Sequence, residues 1–169
     1  MITGATLFDA AIAARCPQLS FRKEGPEDAE FLRALFVACS PLAEHLPAAM
    51  LTQQADLQDR GFRTARPLAM RRIAVRAGEP VGRIMIDWDG AGSYHGVDIA
   101  VLPGARASGL ALAMLRAWLA AADQLGRVCT LEVLATNPAQ VIYRRLGFRP
   151  LAEGDANQPV IEMYRPVGG

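Results

Sequence analysis

Apolar positions along this chain change their spacing twice, from helical to alternating and back, and those changes mark out its elements. Phe31, Leu32, Leu35 and Phe36 recur at the three- and four-residue intervals of one helix face, running through Cys39. Gly25-Pro26-Glu27-Asp28 precedes them, with Pro near the first turn and acids after it, a helix start. Residues 5–14 read as a short helix within an N-terminal arm over 1–17, Leu19 to Arg22 as a short strand, and Pro47 to about Phe62 as a second, less strongly patterned helical segment. The spacing then shortens to two. Arg72 to Ala77 and Val81 to Trp88 read as strands flanking a hairpin turn at Gly78-Glu79-Pro80, and Asp89-Gly90-Ala91-Gly92 as another turn. A third strand, Tyr94 to Leu102, has Val97, Ile99 and Val101 on one face and Asp98 and Ala100 on the other. Ser108 to Leu125 is apolar almost all round, interrupted by Arg116 and Asp123 and ended by Gly126, which predicts a helix buried against a sheet. Val128 to Ala135 reads as a buried strand, Pro138 to Leu146 as a short helix closed by Gly147, and Arg149–Ala152 and Pro159–Arg165 as closing strands.

Two helices, an antiparallel meander, a strand–helix–strand unit and closing strands predict an α/β fold. Its central sheet is mixed and largely antiparallel, with helices on both faces. With 169 residues and no repeat or linker, positions 1–169 are expected to form one domain. Hydrophobic residues make up 51% and charged ones 21%, a globular composition. A net charge of +1 gives no global basic field, so nucleic acid is not expected as a partner. Cys16, Cys39 and Cys129 are scattered without metal-ligand spacing, which predicts free thiols in a reducing cytoplasm and no metal site. No apolar stretch is long enough for a bilayer, and the first residues lack the positive region of a signal peptide, so no membrane association is expected. The aromatics Phe31, Phe36, Trp88, Trp118 and Phe148 fall at apolar-face positions and are expected in the core. Phe62 is a lesser candidate for a substrate wall, and Arg63, Arg66, Arg71 and Arg72 form a modest basic cluster expected to be solvated, with a dock for an acidic acceptor or a phosphate as the alternative.

Candidate chemistry begins at Pro103-Gly104-Ala105-Arg106-Ala107-Ser108-Gly109-Leu110-Ala111, where a strand passes through a small-residue turn into the long helix. The first N–H groups of a helix have no internal partner and carry the positive end of its dipole, so such a turn can hold an anion. Ala107, Ser108, Gly109 and Ala111 leave room for a phosphate to approach the backbone, and Arg106 adds charge. The segment is neither a GxxxxGK[ST] loop nor a GxGxxG fingerprint, which argues against a nucleotide triphosphatase and a Rossmann dehydrogenase.

Val101-Leu102-Pro103 followed by Arg106-Ala107-Ser108-Gly109-Leu110-Ala111 resembles the diphosphate-binding motif of the GNAT superfamily of acetyl-CoA-dependent N-acetyltransferases, Arg/Gln-x-x-Gly-x-Gly/Ala. Leu131-Glu132-Val133, Asn137-Pro138-Ala139, Tyr143 and Leu146-Gly147-Phe148 look like that family's second signature, in the same order, and the likeness covers about residues 70–150. Ala107 stands where many relatives carry Gly, and Ser108 where Lys or Arg is frequent.

The resemblance implies the acyl-CoA N-acyltransferase fold and direct transfer of an acetyl group from acetyl-CoA to a primary amine, on a small molecule, a lysine or a protein N-terminus. The alternative is a CoA-binding regulatory module of the same fold that transfers nothing. It further implies that the strand around Ala100, Val101 and Leu102 binds the pantetheine arm, with the Val101 N–H near the thioester oxygen, and that Arg106 to Ala111 holds the diphosphate. Tyr143 would protonate the leaving thiolate, and Asn137 would bind the cofactor or cap the next helix. Glu132 is the first candidate for the general base, because its setting is similar to that in ribosomal-protein N-terminal acetyltransferases; Asp98 and His95 are its rivals. The acceptor's identity has no readable code, and a monomer or a homodimer fits equally.

Overall fold

The computed structural model describes residues 3–90, 92–152 and 159–169; Ala91, inside the second expected turn, lies outside them. Thr3 caps the first helix, its hydroxyl accepting the Thr6 N–H at 3.2 Å. That helix, α1 (Gly4–Arg15), is not a detached arm: Phe8 and Ile12 are buried in the main core. Strand β1 (Ser20–Lys23) comes next, then a 3₁₀ turn over Pro26–Asp28 that opens α2 (Ala29–Cys39). Helix α3 (Ala48–Ala65) completes the first part.

The hairpin β2 (Met70–Arg76) and β3 (Glu79–Asp87) turns at Ala77 and Gly78, both with positive φ. The turn therefore lies earlier than Gly78-Glu79-Pro80, and Glu79 and Pro80 belong to the strand. Two consecutive left-handed residues match the right-handed twist of the strands, which favours this tighter turn. Strand β4 (Ser93–Val101), a 3₁₀ turn (Pro103–Ser108), α4 (Leu110–Gln124), β5 (Val128–Leu134), α5 (Gln140–Arg145), β6 (Arg149–Pro150) and β7 (Val160–Arg165) complete the chain. The seven strands form one sheet in the order β1-β2-β3-β4-β5-β7-β6, antiparallel except for β4 against β5.

One face of the sheet carries α1 and α4. Met70, Ala74, Ile84, Ile86, Leu131 and Val133 project from the strands and pack with Phe8, Met114 and Trp118 in a continuous apolar core. Each such large side chain contributes roughly 1.5–3 kcal/mol by leaving water. A Cβ on Gly96 would fall 2.7 Å from the Trp118 ring, so only glycine lets β4 approach the helix this closely. The other face carries α2 and α3. There Ile73 and Met85, one residue out of phase with Ala74 and Ile84, are fully buried, as are Leu35 and Leu51 of the helices.

Within β4 the pairing with β3 slips by one residue, with Met85 opposite Asp98 but Ile86 opposite Gly96. Val97 is the extra residue of a β-bulge, so the alternation read from the sequence reverses there. Gly96 faces α4 before the bulge, and Val101 faces the same core after it. Asp98 and Ala100 share one face as expected, and it is the face toward α2 and α3, while Val97 falls outside the expected set with Ile99 and Val101.

Candidate active site

The sheet opens where β4 and β5 part. Their parallel pairing covers only Ser93–Gly96 against Val128–Leu131 and ends at Gly96 and Leu131. Beyond that point β4 remains paired on its other edge alone. The Leu102 N–H donates to Val81 O at 2.9 Å. Hydrogen-bonded and non-hydrogen-bonded pairs alternate in an antiparallel ladder, so Ala100 directs its N–H and C=O to β3, and Ile99 and Val101 direct theirs toward the opening. Of the three strand positions expected along the pantetheine arm, Val101 presents its backbone, Ala100 lines the cleft with its side chain, and the Leu102 N–H is committed to β3. The Val101 carbonyl accepts from Arg106 Nε at 3.2 Å and from Cys39 Sγ at 3.4 Å.

Strand β4 runs through the 3₁₀ turn into the start of α4. Gly109 occupies the N-cap with φ 71°, a left-handed conformation that glycine adopts without strain. No side chain caps the helix. The N–H groups of Leu110, Ala111 and Leu112 therefore lack a helical partner. Arg106, Ala107, Ser108 and Gly109 are exposed around this end, while the Leu110 side chain is buried in the core. The Ser108 hydroxyl donates to Ala105 O at 2.6 Å and accepts from Arg76 Nη2 at 2.6 Å.

On the α2–α3 side lies a cleft of about 910 Å³, lined among others by Phe36, Cys39, Asp98, Ala100, Leu134 and Asn137. Asn137 caps the turn into α5: its Oδ1 accepts the Ala139 N–H at 2.9 Å. Tyr143 of α5 packs edge-on against Phe148, ring centroids 6.0 Å apart. Burial, then the negative charge of Asp98, raises the Tyr143 phenol above its ordinary pKa, so it stays protonated at neutral pH.

The three candidate bases differ in how far they are engaged. Asp98 Oδ2 accepts from Arg83 Nε at 2.9 Å and Nη2 at 2.7 Å, so its charge is committed to a buried guanidinium. His95 Nδ1 lies 3.0 Å from Thr130 Oγ1. Burial, then the charge of Arg66, lowers the His95 pKa, although Glu132 and Asp87 oppose this. Glu132 is exposed on the face opposite Leu131 and Val133, at the first β5 position beyond the last pairing with β4. It stands directly across from Glu162 of β7, and neither carboxylate has an ion-pair partner among the described residues. Strand β5, expected to be buried, thus has a partly open face of Val128, Thr130, Glu132 and Leu134, on which Glu132 is exposed.

Sequence reasoning missed the ionic cluster under the cleft. Arg83 is buried yet reaches Asp98, Asp59 and Glu24, and Arg63 joins Asp59 to Glu24. Burial works against the Arg83 charge, but Asp98, then Glu24 and Asp59, hold its pKa above the usual value. The signal was present: an arginine inside the apolar run Val81–Trp88 requires buried partners. The expected solvated basic cluster is not one. Arg63 pairs with Asp59 and Glu24, Arg66 with Asp87 and Arg72 with Asp9, while Arg71 donates to the Ala69 and Arg66 carbonyls. Phe31 and Phe36 are half-buried rather than in the core. Phe62 is half-buried and does not line the cleft. Among the described residues, no helix is long and apolar enough to cross a membrane, and no group of three metal-binding side chains gathers.

Residues 71–150 match the family model described as the Acetyltransferase (GNAT) domain. No curated protein matches the chain. The fold is similar to that of Ard1 from Thermoplasma volcanium, with TM-score 0.63 and 20% identity over 90% of this chain and 99% of that one. It is also similar to PaiA N-acetyltransferase from Thermoplasma acidophilum in complex with coenzyme A, with TM-score 0.67 and 16% identity over 88% and 98% of the two chains. The ribosomal-protein-S18-alanine N-acetyltransferase from Escherichia coli aligns with TM-score 0.62 and 16% identity over 89% and 95%.

Proposed function

We propose that this chain, a member of the GNAT superfamily, transfers an acetyl group from acetyl-CoA directly to a primary amine, working as one domain over 1–169 in the cytoplasm. The observation that carries the reading is the parting of β4 from β5 beyond Gly96 and Leu131, which leaves the Ile99 and Val101 backbone unpaired on that edge, one turn before the uncapped start of α4. A thioester arm fits along such a strand edge, and a diphosphate fits at unpartnered helix N–H groups.

In this reading the N–H groups of Leu110 to Leu112 bind the diphosphate, the Val101 N–H donates to the thioester oxygen as negative charge grows on it, and the cleft between α2, α3 and β4 admits the amine. Glu132 takes a proton from the incoming ammonium, directly or through water. The amine nitrogen bonds to the acetyl carbon and gives up its surplus proton to solvent, the carbon–sulfur bond breaks, and Tyr143 gives its proton to the departing thiolate and regains one from solvent. Positioning can supply up to about 7–11 kcal/mol of the barrier reduction, so a base exposed to water suffices. Glu132 is favoured over Asp98 because Asp98 is held by Arg83, and over His95 because burial and Arg66 already disfavour the protonated His95 that catalysis would form.

The test is release of CoA thiol from acetyl-CoA over a panel of primary amines. Tyr143→Phe should lower turnover well over tenfold with CoA affinity unchanged, and Glu132→Ala should abolish the acidic limb of the pH–rate profile. Unchanged turnover in the first variant removes the acid, and an unchanged limb in the second removes the base.

A further inference from the structure

We infer that Arg76, from the end of β2, is a binding residue for the coenzyme's diphosphate, supplying to the α4 turn a positive charge that the turn's own exposed residues Ala107, Ser108 and Gly109 do not carry. The inference rests on the acetyl-CoA reading above and deepens it. Arg76 is far from the turn in sequence, yet its Nη2 donates to Ser108 Oγ at 2.6 Å. The Ser108 hydroxyl has already given its own proton to Ala105 O at 2.6 Å, so the hydroxyl receives Arg76 and has no proton left for an incoming anion. A guanidinium has five N–H donors, and one holds Ser108. Arg76 forms no ion pair with a carboxylate among the described residues, whereas Arg63, Arg66, Arg72 and Arg83 all do. Arg106, the cation within the turn, has its Nε tied to Val101 O at 3.2 Å. The hairpin thus delivers an uncompensated cation, fixed at one nitrogen, beside the α4 N-terminus, where planar donors suit phosphate oxygens.

The test is calorimetric titration of the whole protein and its variants with CoA and with dephospho-CoA. Arg76→Ala should weaken both by the same factor, about tenfold for a charge-assisted hydrogen bond at an exposed site, and should reduce the salt dependence of binding. Arg76→Lys should recover part of the loss. Arg76→Gln serves in place of the alanine variant if that one does not fold. Equal affinities for wild type and variant would overturn the inference while leaving acetyl transfer intact. A loss confined to CoA would also overturn it, because the contact would then be to the 3′-phosphate. A wild type that takes up neither ligand would overturn the acetyl-CoA reading itself.

Discussion

The two faces of the sheet solve opposite problems. Toward α1 and α4 the strands present Ile84, Ile86, Leu131 and Val133 to Trp118 and Met114, a dry interface with Gly96 as its closest approach. Toward α2 and α3 the same strands present Arg83, Asp98, His95 and Glu132, and a cleft of about 910 Å³ remains open. The first face stabilises by area removed from water. The second combines buried Ile73, Met85, Leu35 and Leu51 with ion pairs whose desolvation cost roughly cancels their attraction, so those pairs add little net stability while fixing positions. The lesson is that the cleft lies on the side where the packing of Ile73 and Met85 with Leu35 and Leu51 gives way to a cluster of ion pairs.

Three changes would break or sharpen that contrast. The largest effect is expected on the dry face, where Trp118→Ala should lower unfolding free energy by about 3–5 kcal/mol in urea titration. A loss under about 1 kcal/mol would mean that this face is not the principal core. On the charged face, Arg83→Leu leaves Glu24, Asp59 and Asp98 without their shared cation and should cost about 3 kcal/mol at neutral pH. A neutral substitution would refute the cluster's role.

The third and smallest effect is the acid sensitivity of the unaltered protein. Hydrogen bonds from Arg22, outweighing burial, hold the Asp28 carboxyl below its usual range. Burial opposes ionisation of Asp59 and Asp123, but Arg63 and Arg83 for the one and Arg165 for the other hold them low as well. A carboxyl with a depressed folded-state pKa binds fewer protons folded than unfolded, so its contribution is complete above the ordinary value near 4 and is lost as the pH falls through the folded value. His95, also depressed, adds a loss that begins below about 6.5. The thermal midpoint should therefore decline in two stages on acidification, and a midpoint that rose between about pH 6.5 and 5 would contradict the assignment.

The dry face was legible in the sequence, because burying an element imposes a period: α4 reads as apolar all round, and it is the most buried helix. The charged face was legible only by chemical type. Its partners are far apart in sequence, Glu24 and Asp59 meeting Arg83 across two helices, and no local spacing encodes such a meeting. The bulge at Val97 left no period to read, since one inserted residue reverses the alternation without altering composition. Likewise Arg76 looks like any hairpin arginine until the fold carries it to Ser108. The turn before Gly109 was legible as a small-residue passage from strand to helix, whereas Tyr143 and Asn137 were found through resemblance to a family; their geometry came only with the parted strands.

The most direct test is a crystal structure of the protein grown with CoA. The account predicts diphosphate oxygens within hydrogen-bonding distance of the Leu110, Ala111 and Leu112 N–H groups, the arm running along Ile99 and Val101, and the sulfur facing the Tyr143 hydroxyl. A crevice that stayed empty at saturating ligand, or coenzyme bound elsewhere on the molecule, would contradict it.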